Sequence, residues 1–554
     1  MRIRLRIESL KKGFRQNLGI IGSEGLGKSH LLREFLEFSR QDTTLLPIAL
    51  SADALNFGHL AERWMGSLLQ AYLTAKGQKF RDDLDMLTEN AAGDLPLTTG
   101  KIQRIRRNLR KGDWGAPVAR ELFSLTGVLA QETGKKIILM IDEFDNLEYL
   151  PSTDPFAALG KEIMVQKETL FIVTSSRAEK SREIFQEKLS MLFGNFEVID
   201  CVAMTYQESS HFLAQKQPGY HFSKEQTAFL VKMTDGVPAY LDLILDRLGI
   251  CFPVSHHMQA EGASACDVPT ERLMLAFETE LFDRRGRLAL IFEKRLQQCR
   301  RFAKDSRPYV EALLAISAGR RKLIAIASLM DRATRETKKI LERLVQEELV
   351  SKRGSFYVIA DGLFRFWLCE VYALRNRVFG FDEQDVRVRF SRALERHYEA
   401  SNEQSNLNIQ LRLEALLKEF RNDVIEIDGK SMRCPHFTEI NFKLSGLPLS
   451  PLVARNAKVR WFCYVAEAPV REDDVAHILD DLKRQCRKSV RKILIALGGI
   501  DQNAKLLAQA AKVQLWSLTT FNLLLDSYNL PKLMLVKESH GSDLGAVAES
   551  LHTA

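Results

Sequence analysis

The sequence predicts an α/β protein with a parallel sheet at its amino-terminal end, a helical middle and a second α/β region after about residue 385. Three observations predict it. "LGIIGSEGLGKSHLLREFLEFSR" reads as a buried strand, a glycine loop and a helix. "KKIILMIDEFDNL" holds five apolar residues, Ile137 to Ile141, that end in Asp142 and Glu143, as a central parallel strand does. Further on, "KVRWFCYVAEA", "DDVAHILDDLKRQC", "RKILIALGG", "AKLLAQAAK" and "VQLWSL" alternate strand with helix.

The glycine loop carries the first chemistry. "GSEGLGKS" satisfies G-x-x-x-x-G-K-[ST] through Gly22, Gly27, Lys28 and Ser29. Between a strand and a helix, such a loop turns backbone N–H groups and a helix N-terminus toward phosphates. Gly22, Ser23, Glu24, Gly25, Leu26, Gly27, Lys28, Ser29 and His30 are therefore the candidate nucleotide contacts. Lys28 would reach the β- and γ-phosphates and the Ser29 hydroxyl would ligate Mg²⁺. A plain turn before an amphipathic helix is the alternative, and the flanking strand and helix weigh against it.

The apolar run supplies the matching half of the site. Asp142 is placed to hold the Mg²⁺ shell, and Glu143 to orient and deprotonate an attacking water. Asp145 reads as a cap for the following helix. A further strand, "ETLFIVTSSRAEKSREIF", ends in Thr174, Ser175, Ser176 and Arg177. A hydroxyl there can bond the water or the γ-phosphate. Arg177 either reads the phosphate charge or caps a surface loop.

These segments resemble the P-loop ATPases of the AAA+ and STAND superclass, and among them the archaeal-type ATPase family. "TSSR" looks like the STAND sensor segment, and "MTDGVPAYLDLIL" resembles the family's helical-lid signature, with Gly236 and Pro238 in the diagnostic places. The resemblance implies ATP rather than GTP, with Pro238 near the nucleotide. Independently of it, Pro238 suits the first turn of a helix, because its φ is fixed and it lacks an N–H. "RIESLKKGF" looks like a shortened form of the family's leading helix.

The expected domains are a P-loop core over 1–205, with a helical insertion over about 52–130, and a helical lid over 206–300. Within the lid, Ser223 is the expected cap of "FSKEQTAFLVKM". The basic run "KIQRIRRNLRKG" lacks interleaved aromatics and reads as a solvated helix face rather than a nucleic-acid surface. Residues 301–362 order as three helices and a hairpin turning at Gly354, which reads as a winged helix. Its third helix carries Arg335, Lys338, Lys339 and Arg343, and Lys352 and Arg353 sit on the wing. Cations at four-residue spacing suit duplex DNA, while Glu336, Glu342, Glu347 and Glu348 dilute them, so a protein-packing role stays open.

"DGLFRFW", with Asp361, Arg365, Phe366 and Trp367, resembles the run that follows the winged helix in that family, and 363–384 is a connector. Residues 385–531 resemble a restriction-endonuclease-like domain. The family's active form implies an acid near Asp428 and then Glu-x-Lys, where this chain has Glu467, Ala468 and Pro469. Glu439 and Lys443 are possible substitutes, but a domain that does not cleave is the preferred reading. Residues 532–554 read as a flexible tail.

Composition limits the remaining classes. Of 554 residues, 45% are hydrophobic and 27% charged, and no uncharged apolar stretch of 18 is present, so no membrane span is expected. The basic start "MRIRLRIESLKKGF" lacks an apolar signal core. Eight cysteines without a C-x-x-C pair suit reduced thiols, hence a cytoplasmic setting. A net charge of +8 permits nucleic acid without requiring it. The expected activity is an ATPase switch whose partner is duplex DNA, a protein or a second copy. An ATP-gated nuclease and a non-hydrolysing scaffold are the alternatives.

Overall fold

The computed structural model describes residues 2–534, except 54–55, 113–114, 150–153, 190–194, 254–264, 300–303, 378–382, 406–407, 428, 443–449 and 486–489. Asp428, Lys443 and all but the first three residues of the expected tail lie outside the described residues. The chain divides into two compact units between Ala203 and Met204.

The first unit is built on five strands, β1 (Asn17–Ile21), β2 (Leu45–Ser51), β3 (Lys136–Asp142), β4 (Thr169–Ser175) and β5 (Phe196–Asp200). All neighbours are parallel and the order is β2-β3-β4-β1-β5. The inner strands are buried along almost their whole length and mostly apolar, as in sheets covered by helices on both faces. Along β3, Ile137, Leu139 and Ile141 enter the larger core, while Ile138 and Met140 enter the smaller one. The smaller core is closed by Ile3, Ile7 and Leu10 of the helix Arg2–Lys11 and Leu32 of the helix Lys28–Arg40.

Four helices fill the connection from β2 to β3: Phe57–Ala75, Leu84–Ala92, Pro96–Arg110 and Ala116–Thr133. They bury Trp64, Leu68, Ile102, Ile105 and Phe123 in the larger core. The basic run lies on the third of these helices. Its Arg104 pairs with Glu121 at 3.1 Å, and Arg106 pairs with Asp85. Internal acids thus neutralise part of its solvent face.

The second unit opens with helices Tyr206–Lys216, Lys224–Thr234, Pro238–Cys251, Thr270–Leu281 and Arg287–Gln297. Ser223 caps the second of them, accepting the Gln226 N–H at 3.1 Å while Gln226 bonds back to it. The helices Arg307–Ser317, Leu323–Leu329 and Thr334–Gln346 follow, then the antiparallel hairpin Ser351–Arg353 and Phe356–Val358. All share one core with the earlier helices, so residue 300 separates no hydrophobic interiors. The helix Glu383–Ser405, grouped by sequence with the C-terminal domain, buries Val386, Phe390 and Leu394 in this same core. An amphipathic pattern identifies a buried face without identifying what covers it.

The last region holds a five-stranded sheet, in order Glu439–Phe442, Leu452–Arg455, Arg460–Ala466, Arg491–Ala496 and Gln514–Ser517. The first three strands pair antiparallel and the last three parallel. The segment "DVIEIDGKSMRC" lies outside this sheet and, among the described residues, pairs as its own hairpin, Asp423–Ile427 with Lys430–Cys434. Among the described residues, no helix is long and apolar enough to cross a membrane.

Candidate functional site

The carboxyl ends of the first unit's strands form one edge, and register brings the polar residues together there. Ser51 lies beside Asp142, Ile20 beside Thr174, Ile21 beside Ser175 and also beside Asp200. Ligands of open parallel sheets bind at this edge, where loops and helix N-termini converge.

The loop after β1 is shaped by two glycines. A Cβ on Gly22 would stand 2.5 Å from the Cys201 carbonyl oxygen, so only glycine lets β1 leave the sheet beside β5. Gly27 caps the helix Lys28–Arg40 at φ 84°, in the left-handed region that glycine tolerates. Leu31 donates the first backbone bond of that helix, to the Gly27 carbonyl at 2.9 Å. The N–H groups of Lys28, Ser29 and His30 precede it, as the first turn of a helix requires. Leu26 packs over Gly22, whereas Ser23, Glu24, Ser29 and His30 face solvent. His30 meets Glu34 at 3.3 Å on the outer face of the helix.

Lys28 is buried, with 5% of its surface exposed, and spans the loop. Its Nζ donates to the carbonyls of Gly22 at 2.9 Å and Ser23 at 2.8 Å. Burial lowers its pKa, opposed by the nearby negative charge of Glu143, Asp142 and Glu24. A cation stripped of water and fixed over a loop of N–H donors is an anion receptor.

Across the sheet edge, Asp142 ends β3 and accepts a short hydrogen bond from the Thr174 hydroxyl. Glu143 follows at φ 52°, which turns its side chain out of the strand direction. Both of its oxygens meet Ser176: the backbone N–H donates to Oε2 at 2.9 Å and the hydroxyl to Oε1. Burial pushes the Glu143 carboxyl up, and the Ser176 bonds and Lys28 only partly offset this. A desolvated carboxylate is a stronger base than one in water.

Ser175 is buried and accepts the Arg177 N–H at 3.0 Å. The Arg177 guanidinium turns to Asp145, with Nε to Oδ2 at 2.6 Å, and stacks over Tyr149 with its Cζ 4.8 Å from the ring. Asp145 is thus no helix cap. It is buried and serves as the anchor of Arg177. The sequence offered no sign of this, because the pairing crosses from β3 to the end of β4. Ser176, one of the strand-end hydroxyls expected to meet the water or the γ-phosphate, bonds Glu143 instead, and Cys201 is the site neighbour for which the sequence suggests no role.

Pro238 lies in the second unit, where it opens the helix Pro238–Cys251. Just before it, the Gly236 carbonyl accepts the Met204 N–H at 2.9 Å.

In the C-terminal sheet, Glu467 is exposed at the end of the strand Arg460–Ala466, followed by Ala468 and Pro469. Glu439 is paired with Arg455 at 2.6 Å. Among the described residues, no group of three histidine, cysteine, aspartate or glutamate side chains is arranged to hold a metal ion.

No family model matches the chain, and no curated protein matches it in sequence. Solved structures similar to it include a Walker-type ATPase of Pyrococcus abyssi, with TM-score 0.43 and 17% identity over 66% of this chain and 93% of that one. The ORC2 protein of Aeropyrum pernix, in ADPNP and ADP complexes, gives 0.40 and 12% over 70% and 92%. The ORC1 protein of the same organism, in complex with DNA, gives 0.35 and 13% over 68% and 92%. The α/β class and its five-stranded parallel core rest on the strand order and register given above.

Proposed function

We propose that this chain binds and hydrolyses ATP and acts as a cytoplasmic switch of the AAA+ and STAND kind. The observation that carries the reading is the buried Lys28, held across the glycine loop, on the same sheet edge as Asp142 and the desolvated Glu143. Lys28 and the loop N–H groups bind the phosphates, and Glu143 orients and deprotonates the attacking water. The Ser29 hydroxyl and the Asp142 carboxylate are hard oxygen donors that fit Mg²⁺. When bound, Mg²⁺ supplies charge neutralisation at the β- and γ-phosphates. Thr174 positions Asp142, and Arg177, held by Asp145 and Tyr149, supports the loop rather than the phosphate.

On this reading Gly236 and Pro238 belong to a lid, and the three helices with their hairpin form a winged helix facing duplex DNA. The C-terminal domain is a non-cleaving relative of restriction endonucleases. The exposed Glu467 without a following lysine, and Glu439 tied to Arg455, support that part.

The test is ATP turnover with and without duplex DNA in wild type, Lys28→Ala and Glu143→Gln. Turnover that rises with DNA and disappears in both variants is the expected outcome. Turnover that survives either substitution overturns the site. Turnover that needs both residues but ignores DNA leaves the ATPase standing and turns the partner search to proteins.

A further inference from the structure

In the winged-helix reading, both the third helix and the hairpin are available to DNA. The hairpin's environment argues otherwise. Its second strand lies between two hydrophobic interiors and feeds them alternately, as the two-residue period of a strand allows. Tyr357 and the following Ile359 enter the core of the helical region, whereas Phe356 and Val358 enter the core of the C-terminal domain. Phe356 stacks edge-on against Tyr528, with ring centroids 4.9 Å apart.

The hairpin's turn is covered too. A Cβ on Gly354 would stand 2.3 Å from the Val424 carbonyl oxygen, so the turn lies against the strand Asp423–Ile427. The Ser355 N–H donates to that same carbonyl at 2.8 Å. Arg353 pairs with the buried Asp526 at 3.0 Å, and Asp526 also holds Arg365 at 2.6 Å. Lys322, bridged to the hairpin at Phe356, pairs with Asp423 at 2.7 Å. Exposing Phe356 and Val358 would return two large apolar side chains to water, at a cost well above any gain from one phosphate contact.

The third helix has the opposite character. Thr334–Gln346 buries Thr337, Leu341 and Leu344 and leaves its other side in solvent. Lys338 pairs with Glu342 at 3.6 Å and Arg343 with Glu347 at 2.7 Å. Arg335 and Lys339, one helical turn apart, are exposed and form no ion pair among the described residues.

We propose that the hairpin Ser351–Val358 is the anchor of the C-terminal domain rather than a nucleic-acid contact. Duplex DNA then meets this region through the helix Thr334–Gln346 alone, with Arg335 and Lys339 on its phosphates. The inference rests on the DNA reading above and specifies its surface.

The experiment is binding of the full chain to a fluorescent 30-base-pair duplex across a salt series. It compares wild type, the double variant Arg335→Ala with Lys339→Ala, and Lys352→Ala, the exposed cation of the hairpin. All three positions are solvent-facing, and thermal melting checks that each variant is folded. The double variant is expected to bind more weakly and to lower the slope of log K against log salt by about 1.8, the release expected for two phosphate contacts. Lys352→Ala is expected to change neither. A flattened slope in Lys352→Ala, or an unchanged slope in the double variant, overturns the assignment while leaving DNA binding intact. Wild type that fails to bind even at low salt refutes the DNA reading itself, and the surface with it.

Discussion

Two buried strands described in this molecule run into an acidic residue, and they lead to different chemistry. β3 runs through five buried apolar residues to Asp142 and Glu143, and meets Thr174, Ser176 and Lys28 at its end. The strand Arg460–Ala466 is equally buried over Trp461 to Tyr464, yet leads to an exposed Glu467 followed by alanine and proline. An acid at a strand end becomes a site through what converges on it: a cation, hydroxyl donors and a wall that removes water. Proline can supply none of these. It has neither a proton to donate nor a charge.

Breaking the first strand end at its cation has the largest expected effect. Lys28→Ala removes the only buried ammonium described over the glycine loop, so kcat/KM for ATP is expected to fall by more than ~10³-fold, with nucleotide affinity lost as well. Steady-state turnover and titration of a fluorescent ATP analogue measure the two separately. If affinity survives, the loop binds through its N–H groups alone and Lys28 is not the receptor described here.

Glu143→Gln sharpens the same comparison, because the amide keeps the shape and loses the base. A drop in kcat of ~10²–10³-fold with unchanged nucleotide affinity is expected. Single-turnover kinetics separate this from slowed product release. Equal losses in kcat and affinity would place Glu143 in binding instead.

A third carboxylate tests whether burial alone marks a site. Asp526 is buried more fully than the half-buried Glu143, but Arg365, Lys532, Arg353 and Arg321 together outweigh its burial and hold its pKa at about 2. Its role is therefore structural, and Asp526→Asn is expected to cost on the order of 3 kcal/mol by leaving the arginines uncompensated. The sign of the pH dependence follows. A folded pKa below the ordinary ~3.9 gives stability that is fully present above about pH 4 and lost as pH falls toward 2. Urea midpoints at pH 7 and pH 3 are expected to differ more for wild type than for Asp526→Asn. Parallel shifts in both proteins would show that Asp526 is not the group responsible.

The first strand end was legible because its signals are local. The glycine loop, the apolar run and the paired acids each lie within a dozen residues and need no knowledge of neighbours. The partner of Ser176 was not legible, since its bonds to Glu143 depend on β3 and β4 being adjacent and on the positive φ of Glu143. Asp145 reads as a cap because an acid before a helix is a local pattern, while its partner Arg177 lies 32 residues away. β5 escaped notice because its pattern is half exposed, as befits an edge strand. The helix Glu383–Ser405 shows the same limit at the scale of domains: its apolar stripe announces burial, and only tertiary packing names the partner.

The smallest expected effect completes the comparison. Glu467→Ala removes an exposed side chain at a strand end that lacks a cation partner among the described residues, so stability is expected to change by less than ~0.5 kcal/mol. ATP turnover is expected to stay at the wild-type value, and neither wild type nor variant is expected to nick supercoiled DNA with Mg²⁺ present. The restoring variant Pro469→Lys recreates the Glu-x-Lys spacing and asks whether spacing suffices. Val470, just after it, pairs its N–H with the Gly499 carbonyl at 3.0 Å, which fixes the local backbone and limits how far a new lysine can swing. With Glu467 open to water and no metal-holding group of side chains among the described residues, the variant is not expected to cut. Cleavage by Pro469→Lys that Glu467→Ala then abolishes would mean that the carboxyl end of this strand retains more of a metal site than its exposed acid suggests.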